Sequence, residues 1–215
     1  PGNTATVTVT PNTNAAALPS GAHVATLRFL DNSYHQGETT RAIILSVGDG
    51  APLYTWPLDA DPGWTTEGQW AFGAPTGQPA EFGPPDPAAG YTGSQVYGYN
   101  LNGAYANNLP PTHLTSTPSD CTGRYNVHLN FWRWLGVETL SCDQACVSVS
   151  TDGSHWRRIW RNDGGVADTE WTPVDFDISA IADDQPAVYL RWTMGPTDYS
   201  VRYCGWNIDD IQLTA

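Results

Sequence analysis

An all-β protein folded as a two-layer sandwich is what this sequence predicts, and three observations predict it. Twenty-one Gly and 17 Pro fall at short intervals between runs of Val, Ile, Thr, Trp and Tyr, the punctuation of many short strands joined by turns. Apolar and polar residues alternate through several of these runs, "NVHLNFWRWL" above all, which is the period of a strand with one face buried. No segment carries the 3.6-residue apolar repeat of an amphipathic helix. With 215 residues, 40% of them apolar, the chain has enough material for a sizeable core.

The elements divide into two blocks. Residues 1–47 come first: Thr4 to Thr10 alternates as a strand, Leu18 to Gly21 is a turn, and His23 to Leu30 with Thr39 to Val47 reads as a hairpin around Gly37. Three strands bury too little surface to stand alone. Residues 48–52, Gly-Asp-Gly-Ala-Pro, read as a linker, and all ten Trp follow it. In 53–215 strands are expected at Leu53–Leu58, Gln69–Phe72, Gln95–Gly98, Asn126–Leu135, Ala145–Ser150, Trp156–Arg161, Thr172–Asp177, Ala187–Met194 and Trp206–Leu213. Short strands at such spacing make a sandwich or barrel.

Charge narrows the partners. The net charge is −13 and all nine basic residues are Arg, a surface that repels phosphate backbones and anionic lipids, so nucleic acid and membranes are not expected partners. No apolar run approaches the roughly 20 residues that span a bilayer, and the start at Pro1 rather than Met reads as a processed or excised piece. Cys121, Cys142, Cys146 and Cys204 are an even count without CxxC spacing, which predicts two disulfides in a secreted protein, with three pairings open.

Catalytic motifs are missing: there is no HExxH, no GxSxG, no ExDxxE strand and no glycine-rich phosphate loop. The five His, at 23, 35, 113, 128 and 155, lie at no metal-ligand spacing from one another. A non-catalytic role follows. Asp outnumbers Glu 17 to five, and short carboxylates both cap turns and ligate calcium. Asp59 and Asp61 stand at the end of the first strand of the second block, while Asp209 and Asp210 interrupt the last. Adjacent Asp residues in a regular strand point to opposite faces, so one would be costly to bury without a partner. A calcium ion held by these oxygens would satisfy it.

Alternation also marks a binding face. In Asn126–Leu135, Val127, Leu129, Phe131 and Leu135 share one side, leaving His128, Asn130, Trp132 and Trp134 on the other. In Ala187–Met194, Tyr189 and Arg191 fall opposite Val188, Leu190, Trp192 and Met194. If these strands share a sheet, its outer face presents Trp132, Trp134, Tyr189 and Arg191 beside small polar residues, an arrangement suited to sugar rings. The competing expectation is that a loop such as Ala74–Gly90 covers Trp132 and Trp134 and makes them a second small core. Arg157, Arg158 and Arg161 form a basic cluster, read as a solvated strand edge rather than an anion site.

Two resemblances extend these readings. "TVTVTPNTNAAALPSGAHVATLRF" and "TTRAIILSV" resemble the C-terminal half of the Ig-like modules of bacterial extracellular proteins. "DPGWTTEGQWAFG", "NVHLNFWRWLGVE", "VSVSTDGSHW", "VYLRWTMG" and "YCGWNIDDIQL" resemble a bacterial jelly-roll domain related to the MAM-like domains, which is appended to secreted peptidases, glycan-active enzymes and adhesins. The resemblance implies a jelly-roll sandwich whose first and last strands are neighbours. It also implies that Asp59 and Asp209 match calcium ligands, although the family more often has Glu at the first of these. The function so implied is a calcium-stabilised, non-catalytic, carbohydrate-binding module of a larger secreted bacterial protein, with a polysaccharide or glycan as partner. The alternatives are an adhesion module for a cell-surface protein and a purely structural accessory domain.

Overall fold

The computed structural model describes residues 6–10, 12, 14, 15, 18, 21–30, 38–47 and 52–215. The chain divides into two compact units, Pro1–Ala51 and Pro52–Ala215. In the first, β1 (Gly21–Phe29) and β2 (Thr39–Val47) form an antiparallel hairpin in unbroken register, from Gly21 opposite Val47 to Phe29 opposite Thr39. The expected third strand does not form over the described residues 6–10, which join no ladder; alternation raises strand propensity, but only a hydrogen-bonded partner makes a strand. The described part of this unit is therefore a two-stranded sheet. Val24 and Ile44, paired across it, are both exposed. Gly37 and positions 48–51 of the expected linker lie outside the described residues.

The second unit is a β-sandwich. Its strands are β3 (Pro52–Trp56), β4 (Thr65–Thr66), β5 (Trp70–Gly73), β6 (Val96–Tyr99), β7 (Thr112–Thr115), β8 (His128–Val137), β9 (Ala145–Ser150), β10 (Arg157–Arg161), β11 (Val166–Ala167), β12 (Thr172–Asp177), β13 (Tyr189–Met194) and β14 (Gly205–Thr214), with one helical turn, α1 (Ser179–Ala182), before β13. One sheet has the order β10-β9-β13-β7-β4. The other runs β11-β8-β14-β6-β5, with β12 also on β8 and β3 also on β14. The nine expected strands are all present within a few residues; the short β4, β7 and β11 are additional.

The core lies between the sheets. Leu129, Phe131, Leu135 and Val137 of β8 face inward with Trp206, Ile208, Ile211 and Leu213 of β14, while Val147 and Val149 of β9 and Leu190, Trp192 and Met194 of β13 face them from the other sheet. Trp192 packs edge-on against Phe131 and stacks on Trp64. Burial of about a dozen large side chains, each contributing roughly 1.5–3 kcal/mol, is the dominant stabilising term. Arg133 shares the inward side of β8 and is neutralised there by a bidentate pair with Asp168 at 2.8 and 3.0 Å.

No disulfide joins the cysteines: Cys121 and Cys204 are buried thiols, Cys142 and Cys146 half-buried ones. Cys146 projects from the outer face of β9, whereas Cys204 precedes β14 in the other sheet, so of the three open pairings the fold does not bring these two together.

Candidate ligand and calcium sites

β13 and β8 belong to different sheets. Because Phe131 and Trp192 meet in the core, the residues beside them in sequence, Trp132 and Arg191, point outward on opposite sides of the sandwich. The expected platform of Trp132, Trp134, Tyr189 and Arg191 is therefore not assembled. Period-two alternation identified the outward residues correctly, but strand pairing separates them.

The outer face of the seven-stranded sheet is largely roofed by residues 74–95. Trp134 donates its Nε1–H to the Pro85 carbonyl at 3.0 Å and packs edge-on against Trp171. Trp132 stacks on Tyr91, with ring centroids 3.6 Å apart and 12° between planes. Asn207 donates to Asp86 Oδ1 at 2.8 Å beneath the same loop. The covering-loop expectation thus describes Trp134 and Trp132 each in part, since both rings stay half-buried. A cleft of about 470 Å³ opens beside Trp132, bordered by Asn130, Trp132, Asp175, Asp210 and Gln212. His128 stands at the β8 end nearby, its Nδ1 2.8 Å from Asp175 Oδ1.

β14 carries a bulge at the acidic pair. Asp209 faces Trp132 and Gln212 faces Asn130, so Asp210 and Ile211 together oppose Phe131 alone. Asp210 takes a left-handed backbone with φ 46°. The extra residue lets both carboxylates reach the same turn: Thr92 N–H donates to Asp209 Oδ2 at 3.1 Å and Thr92 Oγ1 donates to Asp210 Oδ1 at 3.0 Å. The expectation that the two Asp point to opposite faces is corrected by this bulge. Asp209 is fully buried, and burial pushes its carboxyl up to about 6 despite donors from Asp210, Thr92 and Tyr91. Burial also raises Asp210, and the charge of Asp59 raises it further.

An oxygen-rich cradle surrounds this point. A Cβ at Gly90 would lie 2.3 Å from the Thr92 carbonyl, 2.7 Å from Asp209 Oδ2 and 2.8 Å from the Gln95 carbonyl, and one at Gly93 would lie 2.9 Å from Asp59 Oδ1. Carboxylate and carbonyl oxygens are the donor types that a hard cation takes. Asp61 does not join: its Oδ1 accepts from Gly63 N–H at 2.8 Å and from the Tyr97 hydroxyl at 2.5 Å. Among the described residues the only trio of His, Cys, Asp or Glu donor atoms lying within 4.8 Å of one another is elsewhere, at Glu138, Cys142 and Asp198. Sequence reasoning missed Thr92, Gln95 and Gln212; the "GYTG" run at 90–93 was the available signal, two glycines bracketing an aromatic and a hydroxyl.

Tyr189 and Arg191 lie on the outer face of the five-stranded sheet. The Arg191 guanidinium sits 3.7 Å from the centroid of the Trp156 ring, and its Nε donates to Thr115 Oγ1 at 3.0 Å.

No family model matches the chain. A segment of Bacillopeptidase F from Bacillus subtilis (strain 168) is 30% identical over 157 residues, covering 71% of this chain and 10% of that protein; the chain thus spans about a tenth of the curated relative it matches. Among solved structures, a carbohydrate-binding module of the β-sandwich superfamily aligns with TM-score 0.47 and 10% identity, over 92% of this chain and 75% of its own. The C-terminal family 22 carbohydrate-binding module of Clostridium thermocellum Xyn10B aligns with TM-score 0.46 and 14% identity, over 76% and 92%. Among the described residues no helix is long and apolar enough to cross a membrane.

Proposed function

We propose that residues 52–215 are a non-catalytic glycan-binding module, stabilised by calcium, within a larger secreted protein. The cleft beside Trp132 carries this reading. Its aromatic ring, the amides of Asn130 and Gln212 and the carboxylates of Asp175 and Asp210 border one concavity, combining an apolar surface for the C–H face of a sugar with acceptors and donors for its hydroxyls. The Bacillopeptidase F match, confined to a tenth of that protein, supports a place in a larger chain.

In the calcium reading, Asp59, Asp209 and Asp210 with the Thr92 and Gln95 carbonyls hold the ion. The ion would draw the Asp59 carboxylate in toward Asp209 and Asp210, and so hold the 90–95 turn against β14. Since a ligand bound only by the folded state stabilises it, chelation is expected to lower the melting temperature, and Asp209→Ala to remove the response to added calcium. A melting curve indifferent to both refutes the calcium part. For the glycan part, a polysaccharide array probed with and without calcium should give signal, and Trp132→Ala should weaken the best hit about tenfold. Signal on no glycan leaves adhesion to a cell-surface protein, or a structural role, as the alternative.

A further inference from the structure

The five-stranded sheet has an outer concavity of about 270 Å³, on the side of the sandwich away from the Trp132 cleft. Strand register builds it in two rungs. One runs Arg158, Ser148, Arg191, Thr115 across β10, β9, β13 and β7, and the next runs Cys146, Thr193, His113. Neighbouring strands lie about 4.8 Å apart, so Arg158 and Arg191 flank Ser148 at roughly 10 Å, close enough for both long side chains to converge above it.

The electrostatics of this concavity invert those of the chain. Acidic residues outnumber basic ones 22 to nine, yet the lining contains two Arg and one His and no carboxylate. Arg191 lies flat on Trp156 and uses only its Nε on Thr115, and among the described residues neither Arg191 nor Arg158 is in an ion pair. Burial holds Arg191 below its usual range, with Glu67 offsetting this in part. Burial and then the Arg191 charge hold His113 below its own range, and its Nδ1 lies 2.9 Å from Thr193 Oγ1. A partly desolvated cation with no direct ion pair, on which Glu67 acts only through space, is a site that gains by receiving an anion.

We propose that this concavity binds the uronic acid residues of an acidic polysaccharide, with the sugar carboxylate above Ser148 between Arg158 and Arg191 and the ring hydroxyls over Thr193 and His113. The planar guanidinium of Arg191, held by its stack on Trp156, presents two terminal donors in the geometry a carboxylate accepts. At 270 Å³ the space is just under the roughly 300–1,000 Å³ of drug-sized ligand sites, which suits one ring rather than a packed chain. Over Ser148 an extended acidic peptide is disfavoured, because β9 and β13 there are paired on both sides and the free edge of the sheet lies at β10. In this proposal Arg158, exposed on the edge strand β10 as the sequence led one to expect, is also a site residue.

The full chain should be titrated calorimetrically with oligomers of galacturonate, glucuronate and mannuronate, and with neutral galactose and glucose oligomers of equal length. At least one uronate series is expected to bind, more weakly as salt is raised, with Arg158→Gln reducing affinity about tenfold and Arg191→Lys, which keeps the charge and loses the fork, reducing it as well. The same series is run on Arg158→Gln, where binding of neutral oligomers in the Trp132 cleft is expected to persist, so failure of the opposite cleft is read separately. Absence of binding across all three uronates, equal loss of neutral-oligomer binding in Arg158→Gln, or full uronate affinity in Arg158→Gln overturns the proposal. Poly-glutamate bound as tightly, through Arg158, would overturn it in favour of an acidic peptide.

Discussion

The two outer faces of the sandwich start from the same alternation and end as different surfaces. On the seven-stranded sheet, residues 74–95 cross over the strands, so Asn207 and Asp209 become a second, polar interior with Trp134 half-buried at its margin. On the five-stranded sheet the equivalent positions hold Ser148, Arg191 and Thr193 around an open concavity. The difference teaches that an outward side chain is only a candidate for the surface; whether a loop crosses it decides between packing and binding.

Asp86 gives that contrast its sharpest test. It is 2% exposed, and burial raises its carboxyl to about 7 although Asn207 and the Gly103 amide both donate to it. Asp86 Oδ2 and Asn207 Oδ1 are buried without partners. Between about pH 4 and pH 7 the folded protein keeps a proton that the unfolded chain has released, so stability should fall as pH rises through this window and then level off. The shift from 3.8 to about 7 corresponds to roughly 4 kcal/mol at most. Asp86→Asn is expected to flatten this dependence and to stabilise the protein at pH 8, since the new amide can donate to Asn207 Oδ1. Urea denaturation of both proteins at pH 5 and pH 8 checks it; an unchanged slope with pH would mean that water reaches this loop.

A smaller effect is expected at Trp134. Its ring packs on Trp171 and its N–H is bonded to Pro85, so Trp134→Ala should cost about 3 kcal/mol, toward the low end for large aromatics, measured by the same unfolding titration. The smallest change belongs to the open face. Trp156→Ala removes the stack with Arg191 and should cost only about 1 kcal/mol. Equal costs at Trp134 and Trp156 would erase the distinction between the two faces.

Much of the fold was legible because its signals are local. Glycine and proline punctuation located nine strands, and alternation sorted Leu129, Phe131 and Leu135 from Asn130, Trp132 and Trp134 without reference to the rest of the chain. The candidate sites were less legible, because each depends on residues far apart in sequence: Thr92 meeting Asp209 and Asp210, Tyr91 covering Trp132, Arg158 sharing a rung with Arg191.

What the sequence determined by itself is the direction of each side chain relative to its own strand, since that follows from a backbone period of two. Tertiary structure alone decided which strands pair, and so put Trp132 and Arg191 on opposite faces. It also placed a bulge at Asp210 that turned both acidic side chains toward one loop, and it chose which outer face that loop would close. These outcomes are set by hydrogen-bond register and packing between segments up to more than a hundred residues apart, and no short-range pattern in the chain encodes them.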